Sequence, residues 1–174
     1  NRLRFEDAYG QHVTTSTLLL SMNSVSFQTA CEARYALERA CAPLSAQRRT
    51  ADHLATMRAE THRQAQPGLS DEAFCASDVA FHRALVDAAG NPVLSYQLAG
   101  AVEAMQPLMN MITFTARNRE TIVQIHTDIA DAVAANDAAA ADALLCKLAE
   151  YTETLAQSVF AKRDAQKAGT APQS

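Results

Sequence analysis

Residues 138–165, AAAADALLCKLAEYTETLAQSVFAKRDA, decide the fold class of this chain. Apolar side chains recur there in steps of three or four residues, the repeat that places them on one face of an α-helix. The stretch contains neither proline nor glycine to interrupt such a helix. It therefore predicts one long amphipathic helix, whose buried stripe would consist of Leu144, Leu148, Tyr151, Leu155 and Val159.

The rest of the chain predicts more helices of the same kind. It has 36 alanines against 5 glycines and 5 prolines, a composition that favours helices over short strands. We expect an all-α fold, an antiparallel bundle of about six helices, one or two of them kinked, around an internal ligand pocket. The other helices should begin near Ser26 and span about 51–65, 71–89, 93–116 and 118–135, with N-caps at Thr50, Ser70 and Asn118 and interruptions at Pro43 and Pro107.

The domain organisation follows from these boundaries. We expect a linker over residues 1–25, one helical domain over 26–165 and a disordered tail over 166–174. Because residue 1 is Asn rather than Met, we interpret the chain as part of a longer protein. The net charge of -4 argues against a surface that binds nucleic acid by itself, and no apolar run is long enough to span a membrane.

The four cysteines, Cys31, Cys41, Cys75 and Cys146, form no CxxC pair. In a chain with enough apolar residues for a core of its own, a disulfide framework is not expected. We therefore interpret them as reduced thiols of a cytoplasmic protein.

Three polar side chains fall on faces that should be buried. Asp78 and His82 lie one turn apart beside the apolar stripe of the third predicted helix, and His126 follows Ile125 in the fifth. A carboxylate and an imidazole at this spacing can bind one divalent metal ion. The alternative interpretation is a simple helix pair together with a core histidine that has its hydrogen bonds satisfied.

Other residues are candidates for a ligand site. Arg34 lies one turn before Glu38, and either forms a surface ion pair with it or points inward to bind a ligand carboxylate. The methionines of the fourth predicted helix, which include Met105 and Met109, suit either a plain core or an adaptable pocket wall.

The ordered set of motifs resembles a known family, the C-terminal effector domain (FCD domain) of the FadR-type branch of GntR transcription regulators. The resemblance covers about residues 26–162. It rests on four runs in the same order and spacing as in the family: Glu32-x-Arg34-x-x-Leu37-Glu38, Asp78-x-x-Phe81-His82, Ala88-Ala89-Gly90-Asn91-Pro92 and His126-x-x-Ile129-x-x-Ala132-Val133.

The resemblance implies a sensor rather than an enzyme. Such domains follow a winged helix-turn-helix, form homodimers and bind a small metabolite, often an organic acid, that changes the affinity of the regulator for DNA. Many hold a divalent metal, usually Zn or Ni, with one Asp and three His. Carried over, three ligand positions fall on Asp78, His82 and His126, and the carboxylate-binding position falls on Arg34. We add Asn91, Met105, Met109 and Tyr151 as candidate ligand-binding residues.

The sequence departs from the family at the fourth metal ligand. The family's last His corresponds to Leu148 here, and no His follows His126. Tyr151, one turn beyond Leu148, is the nearest polar residue that should face the core, but a neutral phenol is a poor ligand. The metal site is therefore either reduced to two His and one Asp, or lost.

Two other functions compete with the sensor. A site of two His and one Asp also resembles that of a metal-dependent enzyme, although the chain has no HExxH motif. A purely structural helical module is the third alternative, and it predicts a packed core without a cavity around Asp78 and His82.

Overall fold

The computed structural model describes residues 5–21, 26–103, 105 and 118–169. Within these ranges it contains seven helices and no strands, which confirms the all-α prediction. Three of the helices precede Asp78: α1 (Phe5–Ser21), α2 (Phe27–Arg48) and α3 (Ala51–Gln64). The others are α4 (Asp71–Asp87), α5 (Pro92–Glu103), α6 (Arg119–Ala134) and α7 (Ala138–Gly169).

Three helices begin at the N-caps predicted from the sequence, Thr50, Ser70 and Asn118, and α2 begins after a fourth cap at Ser26, where its start was expected. Ser26, Thr50, Ser70 and Asn118 each accept a hydrogen bond from the backbone N–H three residues later. Such caps satisfy N–H groups that have no partner within the helix and stabilise it by about 1 kcal/mol each. They fix where α2, α3, α4 and α6 begin.

The main core lies between α2, α4, α6 and α7. Its largest fully buried side chains include Phe81, Leu85, Ile125, Ile129 and Leu145. Burying one such side chain contributes about 1.5–3 kcal/mol. Of the stripe predicted for the last helix, Leu148 and Val159 are buried in this cluster and Leu144 and Leu155 pack against it half-buried, but Tyr151 is half-exposed and lies outside it. This core places α2, α3, α4 and α6 around one another, and these four helices carry the polar residues described below.

The segment expected to be a linker contains a helix. Residues 5–21 form α1, which packs on α5: the ring of His12 stacks on Tyr96 with centroids 4.3 Å apart and lies over Gly100. The sequence signal was weak because the segment carries β-branched threonines, which lower helix propensity. In the helix, the Thr14 and Thr17 hydroxyls donate to the carbonyl oxygens four residues earlier. Whether residues 1–25 act as a linker stays a prediction.

Two further boundaries differ from those predicted. Pro43 does not restart the first helix of the domain, since α2 continues through it from Phe27 to Arg48. The last helix extends to Gly169, four residues beyond its predicted end at 165, and the rest of the predicted disordered tail, residues 170–174, lies outside the described residues. The fourth helix was predicted to continue beyond Glu103 to about residue 116. Most of that segment, including Pro107 and Met109, lies outside the described residues. None of the helices described is both long and apolar enough to cross a bilayer.

Candidate metal and carboxylate site

Three potential metal ligands meet where α4 faces α6. The Nε2 atom of His82 lies 4.0 Å from Asp78 Oδ1, and the Nε2 atom of His126 lies 3.6 Å from the same oxygen. One ligand atom from each residue lies within 4.8 Å of the other two. Two atoms that each lie about 2.1 Å from a tetrahedral ion are about 3.4 Å apart, so a small inward movement fits a metal ion among them. The cluster predicted from spacing therefore exists in the folded chain.

The two imidazoles are buried and the carboxylate is partly exposed. His82 and His126 are 1% and 0% exposed, whereas the Asp78 side chain is 20% exposed. The ring of Phe81 stacks on His126 with centroids 4.2 Å apart and an interplanar angle of 15°. This packing fixes the plane of the imidazole, and Asp78 forms the edge of the cluster that solvent reaches.

Each imidazole has its Nδ1 atom against an oxygen from another helix. His82 Nδ1 lies 2.9 Å from Glu38 Oε2, an electrostatic contact that does not meet hydrogen-bond geometry. His126 Nδ1 makes a 2.8 Å hydrogen bond with Gln64 Oε1. A hydrogen bond such as the one at His126 orients a metal-binding histidine by leaving Nε2 as the ligand atom.

The Nε2 atoms of His82 and His126 indicate that the cluster suits a cation. Both are buried, and neither has a hydrogen-bond partner within the described residues. A buried polar atom without a partner costs about 1–3 kcal/mol, so proteins rarely retain one without a reason. Two such atoms that face one carboxylate oxygen fit a divalent ion, because a metal would satisfy all three at once.

Burial keeps His126 neutral. Desolvation lowers its pKa from 6.5 to about 3, against the opposing effect of Asp78. A neutral imidazole presents a lone pair, which is the form that binds metals. The protonation state of His126 near neutral pH is therefore that of a ligand.

Arg34 points inward, so the interpretation as a surface pair is wrong. It is 2% exposed, and its Nε donates a 3.0 Å hydrogen bond to Glu38 Oε1. Its Nη2 atom lies 3.7 Å from Asp78 Oδ2. Burial by itself would raise the pKa of Glu38, but His82 and Arg34 outweigh it and hold that pKa below its usual value. The single guanidinium of Arg34 thus faces two carboxyl groups, those of Glu38 and Asp78. Because negative charge exceeds positive charge among these three side chains, a bound cation would be favoured.

The position of the expected fourth ligand is apolar. Leu148 is 3% exposed and packs in the main core. One turn further along α7, the Thr152 hydroxyl donates to the Leu148 carbonyl and lies 2.9 Å from the Tyr35 hydroxyl. The α7 side of the core therefore offers hydroxyl groups but no imidazole.

The remaining candidate residues lie apart from the three metal ligands or have other partners. Asn91 caps α5, its Oδ1 accepting from the backbone N–H groups of Val93 and Leu94. The Tyr151 hydroxyl accepts from the backbone N–H of Asn118. Met105 is fully buried beside an apolar cleft of about 330 Å³ between α1, α2 and α5. Met109 lies outside the described residues. Ligand-binding roles for these four residues stay predictions.

Two of the larger clefts in the described part of the chain are not lined by the candidate metal ligands. One of about 470 Å³ separates α3 from α4 and is lined by His53, Arg83 and Asp87, among others. Another, of about 440 Å³, lies between the end of α3 and the start of α6 and borders on Gln64 and Arg119. Neither is lined by Asp78, His82 or His126, so the internal pocket expected around those residues stays a prediction.

Two residues that contact the histidines of the cluster do not stand out in the sequence. The helical spacing relates Glu38 only to Arg34, although it also contacts His82. Gln64, the last residue of α3, gave no signal, because its partner His126 lies 62 positions further on. No helical spacing relates residues so far apart in sequence.

The fold and the cluster define an all-helical domain with a buried group of polar side chains between its helices. Comparison with known families agrees: residues 29–150 match the FCD domain. The chain belongs to this family, the C-terminal effector-binding domain of GntR-family regulators. Among curated proteins, none matches the sequence.

Proposed function

We propose that this chain is the effector-sensing and dimerisation domain of a cytoplasmic DNA-binding regulator, and that it binds a small organic acid through a divalent metal. The observation that carries the proposal is the pair of buried Nε2 atoms, on His82 and His126, that face one oxygen of Asp78. Nitrogen and oxygen ligands of this kind suit Zn or Ni.

The bound metal would supply a positive charge that attracts the effector's carboxylate. Three protein ligands leave coordination positions open, since the fourth family position is Leu148. Arg34 is the second anchor. Its Nε is already engaged by Glu38, and a carboxylate would bind its terminal nitrogens. The effector would therefore be held at one end by the metal and the guanidinium together.

Regulation would act through a shift of population. An acid that binds one arrangement of a homodimer more tightly than another favours that arrangement. A winged helix-turn-helix domain, which precedes the FCD domain in such regulators, would pass this bias to DNA. No chemical step is needed, and the domain is proposed to have no catalytic activity.

Metal titration of the chain tests the first half of the proposal. After treatment with a chelator, calorimetry with Zn²⁺ and Ni²⁺ should give one equivalent of binding. The His82→Gln and His126→Gln variants should lose it. His62→Gln is the matched control, because His62 is an exposed histidine of α3 that contacts only Gln66 among the interactions described.

A thermal-shift panel of small organic acids tests the second half. Acids at millimolar concentration should raise the unfolding midpoint of the metal-loaded protein, and Arg34→Gln should reduce the shift. No stabilisation by any acid, with or without metal, contradicts the sensor function. Turnover of an added acid that stops in His82→Ala would instead favour the metal-dependent enzyme.

A further inference from the structure

The hydrogen bond between His126 and Gln64 joins the candidate metal site to the end of α3. His126 Nδ1 and Gln64 Oε1 are 2.8 Å apart, and the two side chains are 0% and 2% exposed. No water can replace this contact without entering the core. Whether Gln64 accepts or donates this hydrogen bond therefore decides whether Nδ1 of His126 carries a proton.

The direction of the bond decides which ring nitrogen carries the proton. An amide oxygen only accepts, so Nδ1 must donate, and a neutral imidazole then has its lone pair on Nε2. Nε2 is the atom that faces Asp78 at 3.6 Å. With the proton on Nδ1, the ring presents a lone pair to the cluster, which is the form a metal requires.

The opposite arrangement is less well supported by the geometry. If the Gln64 amide donated to Nδ1, the proton would lie on Nε2 and would need Asp78 as its acceptor. A separation of 3.6 Å is too long for that hydrogen bond. In the observed orientation Gln64 Nε2 is buried without a hydrogen-bond partner in the part of the chain described, and the opposite orientation would put Oε1 in that place, so this atom does not distinguish the two.

We infer that Gln64 is a positioning residue, which holds His126 in the tautomer with the proton on Nδ1 and so keeps Nε2 ready as a metal ligand. The two histidines are then supported by different groups, a carboxylate from Glu38 for His82 and a neutral amide for His126. The inference rests on the proposed function for its consequence in metal binding, but the tautomer exists without metal and is measured without it.

The tautomer can be read from the ring nitrogen shifts of the whole metal-free chain. Two-bond ¹H–¹⁵N spectra distinguish a protonated from an unprotonated ring nitrogen, and a His126→Asn protein assigns the signals. We expect Nδ1 protonated in the parent chain near pH 7. A proton on Nε2 in that chain overturns the inference before any variant of Gln64 is made.

Two substitutions separate the acceptor from the bulk of the side chain. Gln64→Met keeps the length but removes the strong acceptor, so protonation of Nδ1 should be lost or become mixed. Gln64→Glu restores an oxygen acceptor and should keep Nδ1 protonated. If Nδ1 stays fully protonated in a folded Gln64→Met protein, other groups set the tautomer and the inference is wrong.

Metal affinity gives the second measurement. Gln64→Met should weaken Zn²⁺ binding about 10- to 100-fold, as the loss of an orienting partner does elsewhere, and Gln64→Glu should recover most of it. A Zn²⁺ affinity that Gln64→Met leaves unchanged overturns the role in metal binding. If the parent chain has the expected tautomer, dependent on Gln64, but binds no metal, the proposed metal site fails while the positioning of His126 stands.

Discussion

Glu38 lies between His82 and Arg34 in the core, with one carboxylate oxygen 2.9 Å from His82 Nδ1 and the other 3.0 Å from Arg34 Nε. All three side chains are at most 3% exposed. The carboxylate therefore contacts both parts of the candidate site, a proposed metal ligand and the guanidinium that would bind the effector. Loss of the negative charge of Glu38 should therefore affect both metal binding and the position of Arg34.

Replacement of Glu38 by Gln should destabilise the protein and weaken metal binding. The variant leaves Arg34 buried without its nearest carboxylate, which costs about 3 kcal/mol in the free energy of unfolding. Zn²⁺ affinity should fall about 10- to 100-fold, because His82 loses its carboxylate partner. Urea unfolding and calorimetry measure the two effects.

The control for Glu38→Gln is an ion pair on the surface. Arg39 makes two hydrogen bonds to Asp142, and both side chains are more than a third exposed. Asp142→Asn should cost less than about 1 kcal/mol and leave metal affinity unchanged. Equal losses in the two variants would show that the burial of Glu38 has no special importance.

Acid should destabilise the metal-free protein through His126. In the unfolded chain its pKa is about 6.5, and burial lowers it to about 3 in the folded state. Between these values the unfolded state binds more protons, so stability is lost as pH falls, by at most about 1.4 kcal/mol per pH unit. Unfolding curves from pH 7 to 5, with a chelator present, should show this loss.

The same measurement on His126→Gln isolates the residue. Its stability should depend less on pH in this range, because glutamine does not titrate. The range stops at pH 5 because Glu38, whose pKa is also lowered, would add a loss of the same sign in more acidic solution. An identical pH dependence in the two proteins would mean that His126 is not buried in its neutral form.

The sequence predicted the bundle well because its signals are local. Caps at Thr50 and Asn118 and the stripe on α7 each depend on residues within a few turns. The spacing of Asp78 and His82 is local too, and His126 could be added because its neighbours define a buried face. What the sequence did not show is which residue of another helix each imidazole faces, because such pairs depend on how helices pack.

Restoring the fourth ligand should strengthen the metal site. Leu148→His places an imidazole at the family's last ligand position, in a buried site that now holds a side chain of similar size. Without metal, the buried polar ring should lower the unfolding midpoint. With Zn²⁺, affinity should rise about tenfold or more, equivalent to about 1.4 kcal/mol, and the midpoint should exceed that of the parent chain.

Leu148→Gln tests whether polarity alone has this effect. It brings a polar side chain without an imidazole, so it should lower the midpoint with or without metal. Calorimetry on both variants gives the affinities directly. A Leu148→His protein that binds Zn²⁺ no better than the parent would indicate that α7 does not bring this position close to Asp78.

The packing of α1 on α5 depends on the absence of a side chain at Gly100. A Cβ there would overlap the ring of His12, which is stacked on Tyr96. Gly100→Ala should therefore push α1 away from α5 and destabilise the contact by about 1–3 kcal/mol, although alanine favours the helix itself. Hydrogen exchange of residues 5–21 should become faster, while exchange in α4 and α6 stays unchanged.

Two further variants distinguish a clash from a general effect of alanine. Gly10→Ala lies in α1, where a Cβ would meet nothing within 4 Å, and it should slow exchange in α1 by favouring the helix. His12→Ala combined with Gly100→Ala removes the overlapping ring and should recover part of the protection lost in Gly100→Ala alone, because the two substitutions act on one contact. Strictly additive losses would mean that His12 does not pack over Gly100 in solution.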